Sequence, residues 1–524
     1  MRKQHLNMKT VMGMIQRRTG IDERTVRGAR RAFDGSHGPR MRVKQLAALA
    51  LAFALGGSGV HAQGPDRSVR PATGKAPDVV LPAIQQFALD NGMRVLLMEK
   101  HDIPLVQVNF VIGAGTTRDD PSSPGVANMT AAMLDEGAAG QSALELADAF
   151  EMLGARFGVG AGTHTSSMSL RAPSQRLPEA LAIMADIMLR PDFPDAELER
   201  LRAERLTSLV RRYDEPNAIA GAIFDQTLYG ASHPYGREAG GTVESLRAMS
   251  TPDLRAFHER YYRPNNATAI MVGDIDRQQA QRLLEELFGA WERSDVTVDE
   301  VPHAEQVVGR VIYIVNKPGA AQSVVRLGRI GVPRSTKDYF ALEVMNVVLG
   351  GSFTSRLNQN LREDKGYSYG AGSGFEYMPA AGPWSASASI QTPSTGPAIG
   401  EFMKELRGMH DPIPAEEVER ARNFLAMRYP AGFQSVAGIA ARIGELVQYD
   451  LPASYFNRYV DNVLAVTKAD VERVAREYID PENIAIFVVG DRAVIEQQVR
   501  DLGLGEIRFL EVTDVLGPLP SLND

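Results

Sequence analysis

The stretch YYRPNNATAIMVGDID (Tyr261–Asp276) occurs a second time, in altered form, as YIDPENIAIFVVGDRA (Tyr478–Ala493). The tyrosine, proline, asparagine, glycine and aspartate of the pattern all recur at a single offset of 217 residues. In each copy an apolar run, ATAIMVG or IAIFVVG, leads into the Gly-Asp pair, which predicts a buried strand. A repeat of this period predicts two similar domains, because the units of a solenoid are only about 20 to 50 residues long.

Each strand is preceded by a helical pattern, TPDLRAFHERY in the first copy and TKADVERVAREY in the second. Both patterns begin with a threonine, so Thr251 and Thr467 are predicted N-caps, whose side chains accept a hydrogen bond from the first helical turn. The two halves also start alike, because MRVLLMEK from Met93 and GRVIYIVNK from Gly309 both have the composition of buried strands. Long helices mixed with short strands predict an α+β fold.

The repeat also sets the predicted domain limits. We place the first domain at residues 79–295 and the second at residues 309–511. The predicted linker, residues 296–308, overlaps the polar stretch from Glu292 to Gln306. The chain is long enough for two domains with complete hydrophobic cores.

Residues 41–62 have the pattern of a secretory signal peptide. Arg42 and Lys44 form a positive n-region before a short apolar run, and a small-x-small signal predicts cleavage after Ala62. The apolar run is shorter than the roughly 20 residues that a bilayer crossing requires. We therefore expect a periplasmic protein with no membrane span in its mature form, and we interpret residues 1–40 as an upstream extension outside the fold.

The charge of the mature chain argues against one class of partner. The whole chain has a net charge of −7, and residues 1–62 carry 12 Lys and Arg against 3 Asp and Glu, so the remainder carries −16. A strongly acidic protein is a poor ligand for nucleic acid, because phosphate contacts require basic side chains. We therefore expect no nucleic-acid partner.

Several motifs in the right order carry a family resemblance. The first half contains VNFVIGAGTTRDDPSSPGVAN and the His-Pro-Tyr-Gly element at His233–Gly236, and the second half contains LGGSFTSRLNQNLREDKGYSYG at Leu349–Gly370. From about Gln85 to about Gly503, the chain resembles the M16 (pitrilysin-type) peptidases, in the shorter form shared by mitochondrial processing peptidase and its bacterial relatives. The resemblance implies two homologous domains, each with an antiparallel-rich sheet packed against helices.

The resemblance also shows what the chain lacks. Members of the family bind zinc through an H-x-x-E-H helix and a more distant Glu, and the Glu between the two His is the general base. In GVANMTAAMLDEG (Gly125–Gly137), Asn128, Ala131 and Ala132 occupy those three positions, and Ser208 stands where the distal Glu is expected. Alanine has no donor atom and an asparagine amide is a poor zinc ligand. The resemblance therefore implies no zinc in this chain and zinc in a partner subunit.

The histidines offer no replacement for this site. No H-x-x-E-H or H-x-x-x-H occurs anywhere in the chain, and its nine histidines are scattered. We interpret His164, His233 and His258 as core or surface residues rather than metal ligands.

The second half retains a different part of the family's machinery. Members use an Arg and a Tyr seven residues apart to hold the substrate backbone and the developing oxyanion, and Arg362 and Tyr369 match this spacing. A guanidinium offers several donors to peptide carbonyls, and a phenol can donate to an oxygen that becomes negative. The residues alone permit a plainer interpretation, in which Arg362 is a cation near a helix end, Gly366 a C′ glycine and Tyr369 a strand aromatic.

Two functions of different kinds remain open. In the first, the chain is a non-catalytic, substrate-binding subunit of a periplasmic heterodimeric zinc metallopeptidase. Its Arg362 and Tyr369 act in the active site of a partner that carries H-x-x-E-H, and an extended peptide adds a strand to a sheet edge of that partner. In the second, the chain is a catalytically inactive relative that serves as a peptide-binding or structural scaffold. Both functions leave the isolated chain inactive.

Overall fold

The computed structural model describes residues 74, 81–298 and 300–521. The predicted signal peptide at residues 41–62 and the extension at residues 1–40 lie outside the described residues. The elements of the first half are, in chain order, β1 (Gln85–Ala88), β2 (Arg94–Glu99), β3 (Leu105–Ile112), α1 (Val126–Met133), β4 (Gly137–Ala138), β5 (Gln141–Ser142), α2 (Ala143–Met152), β6 (Arg156–Ala161), β7 (Ser166–Pro173), α3 (Leu177–Leu189), α4 (Asp195–Arg212), α5 (Pro216–Tyr229), α6 (Val243–Ala248), α7 (Thr251–Tyr261), β8 (Ala267–Gly273) and α8 (Arg277–Phe288).

The second half repeats most of this order. Its elements are β9 (Arg310–Asn316), β10 (Gln322–Ile330), α9 (Tyr339–Leu349), α10 (Arg356–Asn358), β11 (Ser368–Phe375), β12 (Pro383–Gln391), α11 (Thr395–Gly408), α12 (Ala415–Arg428), α13 (Val436–Gln448), α14 (Tyr455–Ala465), α15 (Lys468–Tyr478), β13 (Ile484–Gly490), α16 (Arg492–Arg500), β14 (Glu506–Glu511) and α17 (Val512–Leu516).

Each half builds a six-stranded sheet with the same internal order. The strand order is β1-β2-β8-β3-β7-β6 in the first sheet and β14-β9-β13-β10-β12-β11 in the second. The repeated apolar runs form β8 and β13, which pair in parallel with the strands predicted from Met93 and Gly309, namely β2 and β9. Most other neighbours are antiparallel. The predicted α+β fold with antiparallel-rich sheets is confirmed.

Of the two threonines predicted as N-caps, Thr467 caps its helix and Thr251 does not. The Thr467 hydroxyl accepts a hydrogen bond from the amide of Asp470, so the prediction for α15 is confirmed. The prediction for α7 is wrong by one residue, because its N-cap is Ser250, whose amide and hydroxyl both donate to the Asp253 carboxylate. Ser250 lies 217 residues before Thr467, so the repeat offset itself marks the equivalent cap.

The two halves exchange one helix each. α13, from the second half, packs on β3 and β8 of the first sheet, and α5, from the first half, packs on β10 and β13 of the second. The ring centroids of Phe224 on α5 and Phe487 on β13 are 5.5 Å apart in an edge-to-face arrangement, which adds to the apolar contact. Neither sheet therefore completes its apolar core without the other half of the chain.

A helix that crosses a bilayer needs about 20 predominantly apolar residues. Within the part of the chain that the structure describes, no helix combines the necessary length with the necessary apolar character.

Candidate functional site

Helix α1 holds three of the four residues that the family resemblance aligns with zinc ligands, namely Asn128, Ala131 and Ala132. It begins after Gly125, whose φ of +94° favours glycine. The Asp119 carboxylate accepts hydrogen bonds from the amides of Gly125 (2.7 Å) and Ala127 (2.8 Å), and so satisfies two donors that a helix start leaves free. A Cβ at Gly125 would meet the backbone of Gly241 at 2.7 Å. These contacts fix the start of α1.

The four residues Asn128, Ala131, Ala132 and Ser208, called the four metal positions below, do not fit a zinc ion. Asn128 and Ala132 are half-buried, Ala131 is 0% exposed and Ser208 is exposed on α4. Two of these side chains have no donor atom, and an amide and a hydroxyl compete poorly with imidazole or carboxylate for zinc. Across residues 81–298 and 300–521, no three His, Cys, Asp or Glu side chains are grouped so that they could hold a metal.

The histidines of the first half have structural partners. The Nε2 atom of His164 lies 2.7 Å from the Tyr235 hydroxyl, that of His233 2.9 Å from a backbone carbonyl, and that of His258 2.8 Å from the Met188 carbonyl. Burial, assisted by the charge of Arg118, lowers the pKa of His164 to about 4. This histidine is therefore neutral in the folded chain near neutral pH.

The second half brings Arg362 and Tyr369 together. Arg362 lies in a π-helical turn (Gln359–Asp364) that continues α10, and its Cζ is 5.0 Å from the centroid of the Tyr369 ring. Its Nε lies 3.2 Å from a carboxylate oxygen of Glu363. Tyr369 is 88% exposed. π-helical turns are rare in proteins overall, and those that occur are often found at functional sites. Both side chains also carry hydrogen-bond donors, so the pair can hold a polar ligand.

Two backbone features between these residues produce the contact. Gly366 has a φ of +66°, and its amide donates to the carbonyl of Arg362 (3.2 Å), which ends the helix. β11 then begins with a β-bulge, because its pairing with β12 shifts between Ser368 and Ala371, and Tyr369 lies in this irregular step. Bulges re-aim side chains. The plainer sequence interpretation is thus correct for the local structure, and the same structure places Tyr369 beside Arg362.

One residue of this surface has no counterpart among the sequence predictions. Phe353, in the loop between α9 and α10, is 61% exposed, and its ring centroid lies 4.6 Å from the Cζ of Arg362. Two exposed aromatic rings therefore lie against one guanidinium, an arrangement that cation–π attraction favours. The sequence offers one indication of Phe353, because it is the one large apolar residue within the Gly-, Ser- and Thr-rich segment GGSFTS.

The edge strand of the first sheet, β6, is open. In an antiparallel pair, every second residue of an edge strand points its N–H and C=O outward. The Gly162 amide bonds to the Thr165 carbonyl (2.8 Å) in the β6–β7 hairpin, so the outward residues are Phe157, Val159 and Ala161. Within the described residues, their backbone groups bond to no further segment. This edge can accept an added strand.

The equivalent edge of the second sheet, β11, is closed by side chains and a loop. The outward amide of Ala371 bonds to Oδ1 of Asn358 (3.2 Å), and that of Ser373 bonds to the carbonyl of Gly350 (3.2 Å). The Ser373 carbonyl accepts a hydrogen bond from Nδ2 of Asn346 (2.9 Å). Three outward backbone groups are therefore occupied, so β11 offers less to an added strand than β6 does.

Comparisons with known proteins agree with this architecture. Residues 94–227 match the family model described as Insulinase (Peptidase family M16), and residues 248–425 match the model described as Peptidase M16 inactive domain. An uncharacterized zinc protease of Mycobacterium leprae is 27% identical over 62% of this chain and 73% of its own length. An uncharacterized zinc protease of Rickettsia bellii is 22% identical over 76% of this chain and 98% of its own.

Solved structures give the same result. The crystal structure of a peptidase M16 inactive domain from Pseudomonas fluorescens is 27% identical, with a TM-score of 0.73, over 78% of this chain and 98% of that one. A protease from Helicobacter pylori, at 20% identity and a TM-score of 0.71 over 78% of this chain and 100% of that one, shares the fold. The two family models cover more than half of the sequence, so this chain belongs to the M16 peptidase family, as an inactive M16-like protein.

Proposed function

We propose that this chain is the non-catalytic, substrate-binding subunit of a heterodimeric zinc peptidase in the periplasm. The proposal rests on a contrast between the four metal positions and the Arg362–Tyr369 pair. The four metal positions hold no zinc ligand, whereas the Cζ of Arg362 lies 5.0 Å from the centroid of the Tyr369 ring at an exposed surface.

The division of chemistry follows from the side chains present. The partner would carry H-x-x-E-H and supply zinc, its ligands and the general base. In this chain, the guanidinium of Arg362 donates hydrogen bonds to a peptide carbonyl, and the phenol of Tyr369 donates to the oxygen on which negative charge develops. The hydroxyl of Tyr369, whose side chain is exposed, has no hydrogen-bond partner among the described residues, so it is available to a ligand.

Reconstitution tests this proposal. The chain is purified alone and with an exported H-x-x-E-H relative from the same genome, and cleavage of a labelled peptide is measured. We expect neither chain to be active alone and the mixture to be active. Because loss of one oxyanion donor lowers kcat by about 100- to 1,000-fold, Tyr369→Phe and Arg362→Ala should each lower kcat by about this factor.

A matched control lies at the opposite edge of the same sheet. Arg508 on β14 stacks on Tyr313 at 5.7 Å and is exposed, so Arg508→Ala removes a comparable arginine–tyrosine contact away from the site. This variant should leave the rate of the mixture unchanged. Full activity of the mixture with Arg362→Ala and Tyr369→Phe would refute the roles given to these residues.

The periplasmic location is a separate part of the proposal. It rests on the signal-peptide pattern at residues 41–62. N-terminal sequencing of the protein from a periplasmic extract should begin at Gln63. Recovery of the uncleaved chain from the cytoplasm would contradict this location without affecting the roles of Arg362 and Tyr369.

The open edge of β6 favours a second candidate, a peptide-binding scaffold without a catalytic partner. On this hypothesis an extended peptide pairs with the outward backbone groups of Phe157, Val159 and Ala161. Val159→Pro removes one outward N–H, which an edge strand tolerates. If the isolated chain binds a labelled peptide and Val159→Pro weakens this binding, while no relative confers cleavage, the scaffold function replaces the first proposal.

A further inference from the structure

The side chain of Phe353 shares an exposed surface with Arg362 and Tyr369. Single exposed apolar residues are common on protein surfaces and require no explanation. Here, however, Phe353 and Tyr369 are 61% and 88% exposed, and their ring centroids lie 4.6 Å and 5.0 Å from the same Cζ of Arg362. The result is a small surface on which hydrogen-bond donors are flanked by apolar rings.

This arrangement selects the chemistry of a ligand. The Nε of Arg362 faces Glu363, so the terminal nitrogens of the guanidinium remain for a peptide carbonyl. Both ring centroids lie within 5.0 Å of the guanidinium carbon, so a side chain next to a carbonyl held by Arg362 is within reach of a ring. An apolar side chain gains there by removing ring and side-chain surface from water, whereas a polar one loses hydration.

A buried amide holds this surface together. Asn358, which is 5% exposed at the end of α10, donates from Nδ2 to the carbonyl of Phe353 (2.7 Å). Its Oδ1 accepts a hydrogen bond from the amide of Ala371 (3.2 Å), two residues after Tyr369. One side chain thus links the loop of Phe353, the bulged strand of Tyr369 and the helix that continues to Arg362. Buried amides with both ends bonded fix the positions of the groups that they join.

We propose that Phe353 is a third peptide-contacting residue, that it accepts an apolar side chain of the bound peptide, and that Asn358 is its positioning residue. The proposal rests on the function proposed above, and it adds a preference that Arg362 and Tyr369 alone do not provide.

The test uses two soluble decapeptides that differ at one central position, leucine in one and serine in the other, with no other bulky side chain. With the reconstituted pair of chains, we expect kcat/KM for the leucine peptide to exceed that for the serine peptide by about tenfold, as burial of one apolar side chain allows. Phe353→Ala should reduce this ratio to about twofold or less, and Phe353→Leu should retain most of it.

Two variants provide controls for the loss of a ring and of an amide. Phe509→Ala removes a phenylalanine that stacks under Arg492 (3.8 Å) on β14, at the opposite edge of the sheet. Asn346→Ala removes an amide that bonds to the same strand as Asn358 does, but at Ser373. Both controls should keep the preference for leucine, whereas Asn358→Ala should lose it together with Phe353→Ala.

The outcomes separate this inference from the function on which it rests. If Phe353→Ala lowers kcat/KM equally for both peptides, Phe353 does not contact the variable side chain and the inference is overturned. If Arg362→Ala leaves both peptides fully cleaved, the proposed function fails instead. If the pair cleaves neither peptide, a fluorine label on the para carbon of Phe353 decides in the isolated chain. Its ¹⁹F resonance should shift with the leucine peptide and not with the serine peptide, and the absence of any shift overturns the inference.

Discussion

The first and second halves of the chain share one strand order but differ in the state of their equivalent edge strands, β6 and β11. In the first, Asn128, Ala131 and Ala132 stand on α1 where the resemblance predicts zinc-binding residues, and the edge of β6 is open. In the second, the edge of β11 is occupied by Asn346, Asn358 and Gly350, and beside it Arg362 and Tyr369 lie in contact. One edge is suited to pairing along a strand, and the other to donating a few hydrogen bonds at one place.

The largest effect is expected at Ala131, on the buried face of α1 in the first half. Ala131 is 0% exposed, whereas its neighbour Ala132 is half-buried. Ala131→Glu forces an unpaired carboxylate into the apolar side of α1 and should lower the free energy of unfolding by about 3 kcal/mol, since a buried polar group without a partner is costly. Ala132→Glu, which can reach solvent, should cost about 1 kcal/mol or less.

Urea denaturation measures the free energy of unfolding of the two variants. The difference between the two values cancels most effects that any new glutamate on α1 would have. Equal losses for Ala131→Glu and Ala132→Glu would mean that position 131 still opens toward solvent. The loss of metal chemistry would then be confined to the identity of the side chains, and the packing around α1 would still permit a metal site.

Amide exchange should distinguish the two edges directly. The outward amides of β6 bond to no further segment, whereas those of Ala371 and Ser373 on β11 are bonded to Asn358 and Gly350. Local opening governs exchange, so the outward amides of residues 157, 159 and 161 should exchange about 100-fold faster than the bonded outward amides of residues 371 and 373. Hydrogen–deuterium exchange with mass spectrometry resolves these two segments.

Asn358→Ala tests the cause of that difference. It removes the acceptor of the Ala371 amide and leaves the Gly350 contact with Ser373 in place. Exchange in residues 371–375 should accelerate while that in residues 157–161 stays unchanged. If the variant leaves both segments as they were, the amide does not protect the β11 edge, and the contrast between the two sheets has another origin.

The sequence predicted the repeated parts of the fold because they depend on local composition. Gly-Asp after an apolar run marked β8 and β13, and the 217-residue offset marks Ser250 and Thr467 as equivalent caps. It did not predict the exchange of α5 and α13, because an amphipathic pattern shows that a helix has an apolar face but not which sheet that face covers. Their exchange is decided by tertiary packing.

The candidate site was predicted to a similar extent. The spacing of Arg362 and Tyr369 matched a motif, but the 5.0 Å contact depends on the glycine turn at Gly366 and on the bulge of β11. Phe353 and Asn358 could not be found by spacing, because they reach the site through a loop and a buried amide rather than through a periodic pattern. Residues that act through such contacts become visible only in three dimensions.

A smaller effect is expected in the pH dependence of the free energy of unfolding, to which His164 of the first half contributes. His164 lies in the hairpin between β6 and β7, and burial lowers its pKa to about 4 in the folded chain, against about 6.5 when unfolded. As the pH falls through this interval, the unfolded chain binds a proton first, so its contribution to stability is complete above about pH 6.5 and is lost toward about pH 4. Allowing for its partial exposure, the loss should be about 1 to 2 kcal/mol.

The measurement compares wild type with His164→Gln, whose side chain cannot be protonated. The free energy of unfolding of the wild type relative to the variant should fall between about pH 7 and pH 4.5. The corresponding connection between β11 and β12 contains no histidine, so no equivalent residue of the second half adds to this signal. A difference that stays constant with pH would mean that His164 is accessible to solvent.

The smallest effect concerns two glycines with the same backbone problem and different positions. Gly366 (φ +66°) lies between Arg362 and Tyr369, and Gly140 (φ +79°) lies in the turn between β4 and β5 of the first half. A Cβ at either would meet no atom within 4 Å, so alanine there introduces backbone strain without a clash. Each substitution should therefore lower the free energy of unfolding by about 1 kcal/mol, the penalty for a non-glycine residue in this conformation.

The two variants should differ in activity although they agree in stability. A shift of the turn at Gly366 changes the distance between Arg362 and Tyr369, and small misplacements of ligand-orienting groups reduce rates strongly. If the proposed zinc-bearing partner is present, Gly366→Ala should lower kcat/KM by about tenfold or more, while Gly140→Ala should leave it unchanged. Equal kcat/KM for both variants would show that the distance between Arg362 and Tyr369 does not limit the reaction.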